Sequence, residues 1–422
     1  MGRLRELSAT LGYFTAVVLP LVILLFLIGK IYQKSLYSPL LVEFKEGKEL
    51  SLSDYEKLYE VFGPEVRDDE GNTLLHRLVV EACREREVPE LLRELLKEGL
   101  SPDEKNSSGQ TAVHLAVKFC QDGEVLRELL KVLTEFKADL NAGDCAGNTP
   151  LFYAVVAPYD NLKTLLEFKP EVNAKNFYGW TPLCRAALWD LLEQFTLLEK
   201  AGGRIEERCG KVPVPELARA LRSSEVADYL KKRKIELKEV KENLKELLFT
   251  PSANKKCVKE YFEREIERAL SYALLLDQVE RVKAFYGAGL FPKDGKIEGM
   301  PVALFAVKNS PNCSPKVLEF LLSEGLLKPS DRFEGGETLL HICAERGCDR
   351  CVKVLVKWGA DPNAKDDKGF TPYCRAVAKG KEKTARELLR LGADPNAPCV
   401  KAARELKRVK PWIEELSATP SR

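Results

Sequence analysis

Hydrophobic and polar positions along this chain follow two different patterns. From Leu7 to Gly29, "LSATLGYFTAVVLPLVILLFLIG", no residue is charged. As a helix this run would extend about 34 Å at about 1.5 Å per residue, close to a bilayer core of about 30 Å. Pro20 sits mid-span, where a membrane helix tolerates a kink. Tyr13 and Tyr32 flank the run, at the level where aromatic residues favour the interface. The run is long for a signal peptide, and no small-x-small cleavage site follows it. The pattern predicts an uncleaved single-pass membrane anchor at 7–29 behind a short head at 1–6. Arg3 and Arg5 precede the span, while Lys30, Lys34, Lys45 and Lys48 follow it. That count leans toward a cytoplasmic C-terminal region.

The second pattern is a repeat. Short amphipathic segments end in Gly: "LRELLKEG" at Gly99, "VLEFLLSEG" at Gly325 and "ARELLRLG" at Gly392. The terminal Gly predicts a left-handed C-cap. Turn phrases recur after such segments: "KADLNA" from Lys137, "KPEVNA" from Lys169, and "GADPNA" from both Gly359 and Gly392. A Gly-x-Thr signal then opens the next segment, at Thr73, Thr111, Thr149, Thr181, Thr338 and Thr371. The spacings are 38, 38 and 32 in the first series and 33 in the second. Self-similarity at such a period marks a stacked array. Thr caps a helix by accepting a backbone N–H, and Pro150, Pro182 and Pro372 follow at the first helical position, where no N–H is needed.

Gly-x-Thr-Pro-Leu-His, a helix pair, then Gly-Ala-Asp-x-Asn-Ala at a spacing near 33 resembles the ankyrin repeat. The resemblance implies an all-α fold, an ankyrin-type α-solenoid of helix pairs joined by β-hairpin turns, here with one N-terminal transmembrane helix added. The 38-residue spacings depart from the family and imply a longer loop between the two helices. Weaker units lie between the good ones. "KVPVPELARALRSSEVADYLKKRK" from Lys211 has helix pairs without Gly-x-Thr, and "EGMPVALFAV" from Glu298 puts Pro301 where Thr would stand. The expected organisation is a juxtamembrane linker at 30–49, a first repeat block at 50–230, a charged helix and linker at 231–266, a second block at 267–417 and a tail at 418–422. Residues 50–66 and 399–417 read as helical caps, which an array needs at its ends.

Composition and candidate chemistry refine this picture. Lys+Arg number 66 and Asp+Glu 64, with both signs interspersed, unlike the one-sided basic footprint of a nucleic-acid binder. The three histidines, His76, His114 and His341, each stand three residues after a repeat Thr. Shared placement implies a shared structural task, and the family resemblance implies that the imidazole stitches adjacent turns. No histidine is left for a nucleophilic pair, and no phosphate loop or His-Glu-x-x-His helix occurs. Catalytic residues, metal ligands and cofactors are therefore not expected, nor is a small-molecule substrate.

One cluster, "HICAERGCDRC", gathers His341, Cys343, Cys348 and Cys351. It reads as core packing, with two rivals: a redox pair Cys348–Cys351, or a thiolate–imidazole metal site. Twelve scattered cysteines, if free, suit a reducing compartment. Binding is expected at the hairpin tips and the concave face, which the family uses for proteins. Phe177, Tyr178 and Trp180 in one tip, Phe333 in another and Phe370 in a third are the expected partner contacts, because exposed aromatic residues lead interface hot spots. The sequence thus predicts a membrane-anchored scaffold for a protein partner. A thiol-dependent protein and a structural spacer or oligomerisation module are the alternatives.

Overall fold

A computed structural model describes residues 30, 33–88, 90–240, 243–249 and 256–397. The expected anchor at 7–29 and the expected C-terminal cap at 399–417 lie outside the described residues. Among the described residues no helix is long and apolar enough to cross a membrane. The longest, Lys256–Leu275, has 20 residues but is dense in Lys, Arg and Glu through its first two-thirds. The single-pass membrane localisation, with its repeats assigned to the cytoplasm, is corrected on that finding.

The chain divides into two compact units. The first takes the described residues up to Ala186, Glu193–Glu207, and those of 251–258. It opens with helices α1 (Ser38–Lys45) and α2 (Leu52–Phe62) and continues as helix pairs. These are α3 (Leu74–Glu85) with α4 (Glu90–Lys97), α5 (Ala112–Phe119) with α6 (Gly123–Glu135), α7 (Pro150–Ala154) with α8 (Tyr159–Glu167), and α9 (Pro182–Trp189) followed by α10 (Leu192–Lys200). The second unit takes Ala187–Leu192 and the described residues of 208–250 and from 259 on. A hairpin of β1 (Arg208–Cys209) and β2 (Val212–Pro213) leads into α11 (Val214–Ala220) and α12 (Ser224–Lys232), then α13 (Leu244–Leu248). Next come α14 (Lys256–Leu275) and α15 (Val279–Gly287), and a hairpin of β3 (Lys296–Ile297) and β4 (Met300–Pro301). The last pairs are α16 (Val302–Asn309) with α17 (Pro315–Ser323), α18 (Leu339–Arg346) with α19 (Asp349–Lys357), and α20 (Pro372–Ala378) with α21 (Glu382–Arg390).

The two helices of a pair differ in burial, as their sequences require. α5 is apolar around most of its circumference and buries every residue from Ala112 to Val117. α6 is one-sided: Val125, Leu126, Leu129, Leu130, Val132 and Leu133 are buried, while Glu124, Glu128 and Lys131 face solvent. That is the three-and-four spacing of a helix with one covered face. The first helices thus lie inside the stack and the second helices clad it.

The ends of the regular pairs are punctuated as the sequence suggests. Thr73, Thr111, Thr149, Thr338 and Thr371 occupy N-cap positions with extended backbone. Gly99, Gly325 and Gly392 have φ of 98°, 68° and 96° and end the second helices. The residue after each glycine bonds back to the helix: Leu100 to the Leu95 carbonyl, Leu326 to Leu321 and Ala393 to Leu388. This is the 6→1 closure of a Schellman cap. Where the phrase begins with Lys, Lys137 and Lys169 take the left-handed conformation themselves, at φ of 64° and 54°.

The recurring Asn of the turn phrase locks one repeat to the next. Asn363 donates through Nδ2 to the Gly392 carbonyl at 2.9 Å and accepts the Asp394 N–H at 2.7 Å. Asn173 does the same with the Gly202 carbonyl and the Arg204 N–H. One amide therefore fixes the corresponding turn one repeat on, which is why the same six letters recur.

Candidate functional site

The hairpin tips are built from one backbone device. In five of the six Gly-x-Thr tips the residue five before the Thr is Asp or Asn, and its side-chain oxygen gathers the N–H groups two and four residues on. Asp68 accepts from Glu70 and Asn72, and Asn106 from Ser108 and Gln110. Asp144, Asn176 and Asp366 repeat the pattern. This Asx arrangement sets the turn. Gly109, at φ 74°, then lets the next tip come close: a Cβ there would lie 2.6 Å from the Cys145 nitrogen. The tips are joined by backbone bonds: Ser107 N–H to the Glu70 carbonyl, Cys145 to Ser108, Phe177 to Ala146 and, in the second unit, Asp367 to Gly335.

The histidines complete the stitching. Nδ1 of His76, His114 and His341 accepts the backbone N–H of Thr73, Thr111 and Thr338 at 3.2, 3.1 and 3.1 Å. Nε2 faces the carbonyl of Gln110, Asn148 and Phe370 in the next tip, at 3.0, 2.9 and 3.0 Å. A carbonyl only accepts, so each ring is the Nε2–H tautomer. Burial pushes all three imidazole pKa values down, against the opposing pull of these carbonyls.

The expected contact residues divide on this scaffold. Tyr178 and Trp180 are fully buried, which corrects the expectation that they stand exposed. Their rings meet edge to face at 5.3 Å, and the Tyr178 hydroxyl donates to Asn148 Oδ1 in the preceding tip at 3.3 Å. They are tip-to-tip packing, made possible by the close approach just described. Phe177 is 39% exposed, with its ring edge lying over Gly147. Phe370 is 41% exposed, its ring 5.8 Å from the Arg375 guanidinium. Arg375 is held in turn by Asp366 and Glu337 at 2.5 and 2.7 Å. Phe333 is half-buried and stands where the other tips have Asp or Asn. Its turn relies instead on Gly335 and Gly336, at φ of 73° and 69°. Phe333 lines a groove of about 520 Å³ with Tyr286, Phe291 and Leu326.

The sequence reading missed one feature. In the first unit a groove of about 520 Å³ runs between the tips and the first helices, lined by Ser107, Ser108, Arg77, Lys118 and Phe119. Phe119 is 43% exposed at its edge, with the Lys118 ammonium 4.8 Å from the ring. Its signal was an apolar residue at the end of α5, one position beyond the Lys that leaves the buried run.

The thiol readings also change. His341 is committed to Thr338 and Phe370, and Cys348 is bonded to Cys313 rather than to Cys351. The expected Cys348–Cys351 redox pair is therefore corrected, and the His341/Cys343/Cys348/Cys351 set does not converge as a ligand shell. Cys343 and Cys351 are buried thiols, and burial, then the contact with Cys351, pushes the Cys343 pKa well up. Cys83–Cys120 and Cys145–Cys257 are further bridges, and Cys184, Cys209 and Cys374 are bonded too. The premise of free cysteines in a reducing compartment does not hold for these residues.

Comparison with known proteins agrees with the geometry. The family described as Ankyrin repeats (3 copies) matches residues 79–176, 270–366 and 303–399, together more than half of the chain. The E3 ubiquitin-protein ligase KEG of Arabidopsis thaliana is 39% identical over 83 residues. That match covers 19% of this chain and 5% of the KEG protein.

Proposed function

Because this chain belongs to the ankyrin repeat family, we propose that it is a protein-binding scaffold whose working surface in each unit is its hairpin tips with the adjoining first helices. The observation that carries the reading is the division of labour among the tip side chains. The Asx residues, glycines and histidines are consumed in holding tip to tip. Phe177, Phe370 and Phe119 are left with more than a third of their surface in water. A large apolar ring on a rigid backbone offers binding area at little entropic cost. Rigid aromatic anchors of this kind dominate interface energetics. The second helices, by contrast, present Lys–Glu and Arg–Glu pairs such as Arg127 with Glu167 and Lys357 with Glu319. A face of solvated ion pairs is a poor candidate for a desolvated contact.

The test is the affinity of a purified partner for the wild-type chain and for the double variant Phe177→Ala, Phe370→Ala. The reading expects at least about tenfold weaker binding, the scale of a hot-spot loss, with the melting temperature unchanged. Unchanged affinity would remove these residues from the surface and favour the spacer alternative. Trp180→Ala is the control from the opposite class: it should lower the melting temperature first, by opening a cavity between tips.

A further inference from the structure

Two disulfides occupy the same place in the repeat, one in each unit. Cys83 lies in the last turn of α3, and Cys120 caps the end of α5, the first helix of the next repeat. Cys313 follows α16, and Cys348 follows α18, again the first helices of consecutive repeats. The partners are 37 and 35 residues apart, close to one repeat length, with Cα atoms 4.5 and 6.1 Å apart. Both separations lie inside the range a disulfide spans.

Each bridge sits at the end of the first helix remote from its tip. An eight-residue helix such as α5 puts about 12 Å between the two ends, at about 1.5 Å per residue. At the tip end the repeats of α3 and α5 are tied by the backbone bond from Ser107 to the Glu70 carbonyl and by His76. At the far end those ties are replaced by side chains reaching the last carbonyls of a first helix or the loop beyond it. Asn161 donates to the Val117 and Cys120 carbonyls at 3.1 and 2.7 Å. Arg346 donates to the Lys308 and Ser310 carbonyls. The Cys351 thiol donates to the Cys313 carbonyl at 2.9 Å. The disulfides are the covalent members of this set. Both are asymmetric in exposure: Cys120 and Cys313 are 0% and 2% accessible, Cys83 and Cys348 7% and 9%. All four are buried, and Cys83 and Cys348 are the slightly less covered halves.

We propose that Cys83–Cys120 and Cys313–Cys348 are redox locks on the array, closing consecutive repeats at the end away from the tips. A small thiol opens each lock in two steps. Its thiolate attacks the sulfur of Cys83 or Cys348, forming a mixed disulfide and releasing the partner cysteine as a thiolate. A second thiol then displaces the first as a free disulfide and leaves two protein thiols. Closing is the reverse, with oxidised glutathione as the disulfide consumed and two reduced glutathiones formed. Cys343 and Cys351 take no part: they lie behind the second lock as buried thiols.

The experiment equilibrates the full chain in glutathione buffers of graded ratio, traps free thiols by alkylation, maps cross-linked peptides by mass spectrometry and records melting in parallel. Oxidised protein should yield the Cys83–Cys120 and Cys313–Cys348 peptides joined, with Cys343 and Cys351 alkylated only after unfolding. Full reduction should lower the melting temperature by about 5–15 °C, the effect of losing cross-links that close loops of this size. In the variant carrying Cys83→Ser, Cys120→Ser, Cys313→Ser and Cys348→Ser, reductant should cause a clearly smaller drop. Recovery of these four cysteines as free thiols from oxidised protein would overturn the proposal. So would a melting temperature indifferent to reductant, or a full-sized drop retained by the variant. Peptide mapping and the redox titration need only the wild-type chain, so a variant that fails to fold leaves both tests standing.

Discussion

His76, His114 and His341 show how a single residue type carries tertiary information here. Each is neutral, each donates to the next tip, and each has its folded pKa depressed by burial. The unfolded chain therefore binds the extra proton first. Stability is fully present above the unfolded value of about 6.5 and falls as pH drops through it toward the folded value, by up to about 1.4 kcal/mol per pH unit per histidine. Melting followed from pH 7.5 to 5 should show this decline, and replacing all three histidines should flatten it. Glycine at the tip is equally specific. Gly109→Ala would need a left-handed backbone and a Cβ inside the Cys145 nitrogen's contact distance. It is expected to cost about 2–4 kcal/mol, measured by denaturant unfolding; a loss under about half a kcal/mol would contradict the close tip approach. The histidine role was legible because Thr-x-x-His recurs in register. The burial of Tyr178 and Trp180 was not, because it depends on how near the neighbouring tip comes, and Gly147 states only that it can.

At the scale of the element, the helix pairs were legible from their caps more than from their propensities. Thr with Pro at the start and Gly after the end bound segments whose apolar spacing alone would be ambiguous. The degraded units show what the tip grammar leaves out. β3–β4 turns through Glu298 and Gly299, both at positive φ, 50° and 75°. That is the two-residue hairpin turn of mirror-image type, and Pro301 then stands at the N-cap position of α16, where other repeats have Thr, without a side-chain cap bond. Hairpin and helix are kept while the Gly-x-Thr letters are lost. Around residue 266, where a charged linker was expected to end, the chain instead runs as one helix, α14, because Val258, Phe262, Ile266, Ala269 and Leu270 give it a continuous buried stripe. The left-handed lysines allow a sharp prediction. Lys137→Gly relieves a strained cap and is expected to raise stability by about 0.5–1 kcal/mol despite the added freedom of the unfolded chain. Equilibrium unfolding would detect that gain, and a loss would mean that the Lys137 side chain contributes more than its backbone conformation costs.

For the whole molecule, the repeat period was enough to name the architecture, and the same period hid the covalent links. Cysteines 35–37 residues apart look scattered along a chain, yet one repeat length brings Cys83 to Cys120 and Cys313 to Cys348. The aromatic residues at the tips looked alike in sequence and separate in space: Tyr178 and Trp180 face inward, Phe177 and Phe370 outward. Phe119 borders a groove that the neighbouring tips form beside it, which the sequence pattern alone does not show. The account assigns recognition to one side of each repeat and support to the other. Its most direct test is a scan with a photo-crosslinking amino acid placed singly at positions 177 and 370 in the tips and 119 on a first helix, and at 128 and 353 on the second helices. With a purified partner, adducts at the first three positions and none at 128 or 353 are the predicted result. Adducts at 128 or 353, with positions 119, 177 and 370 silent, would contradict it.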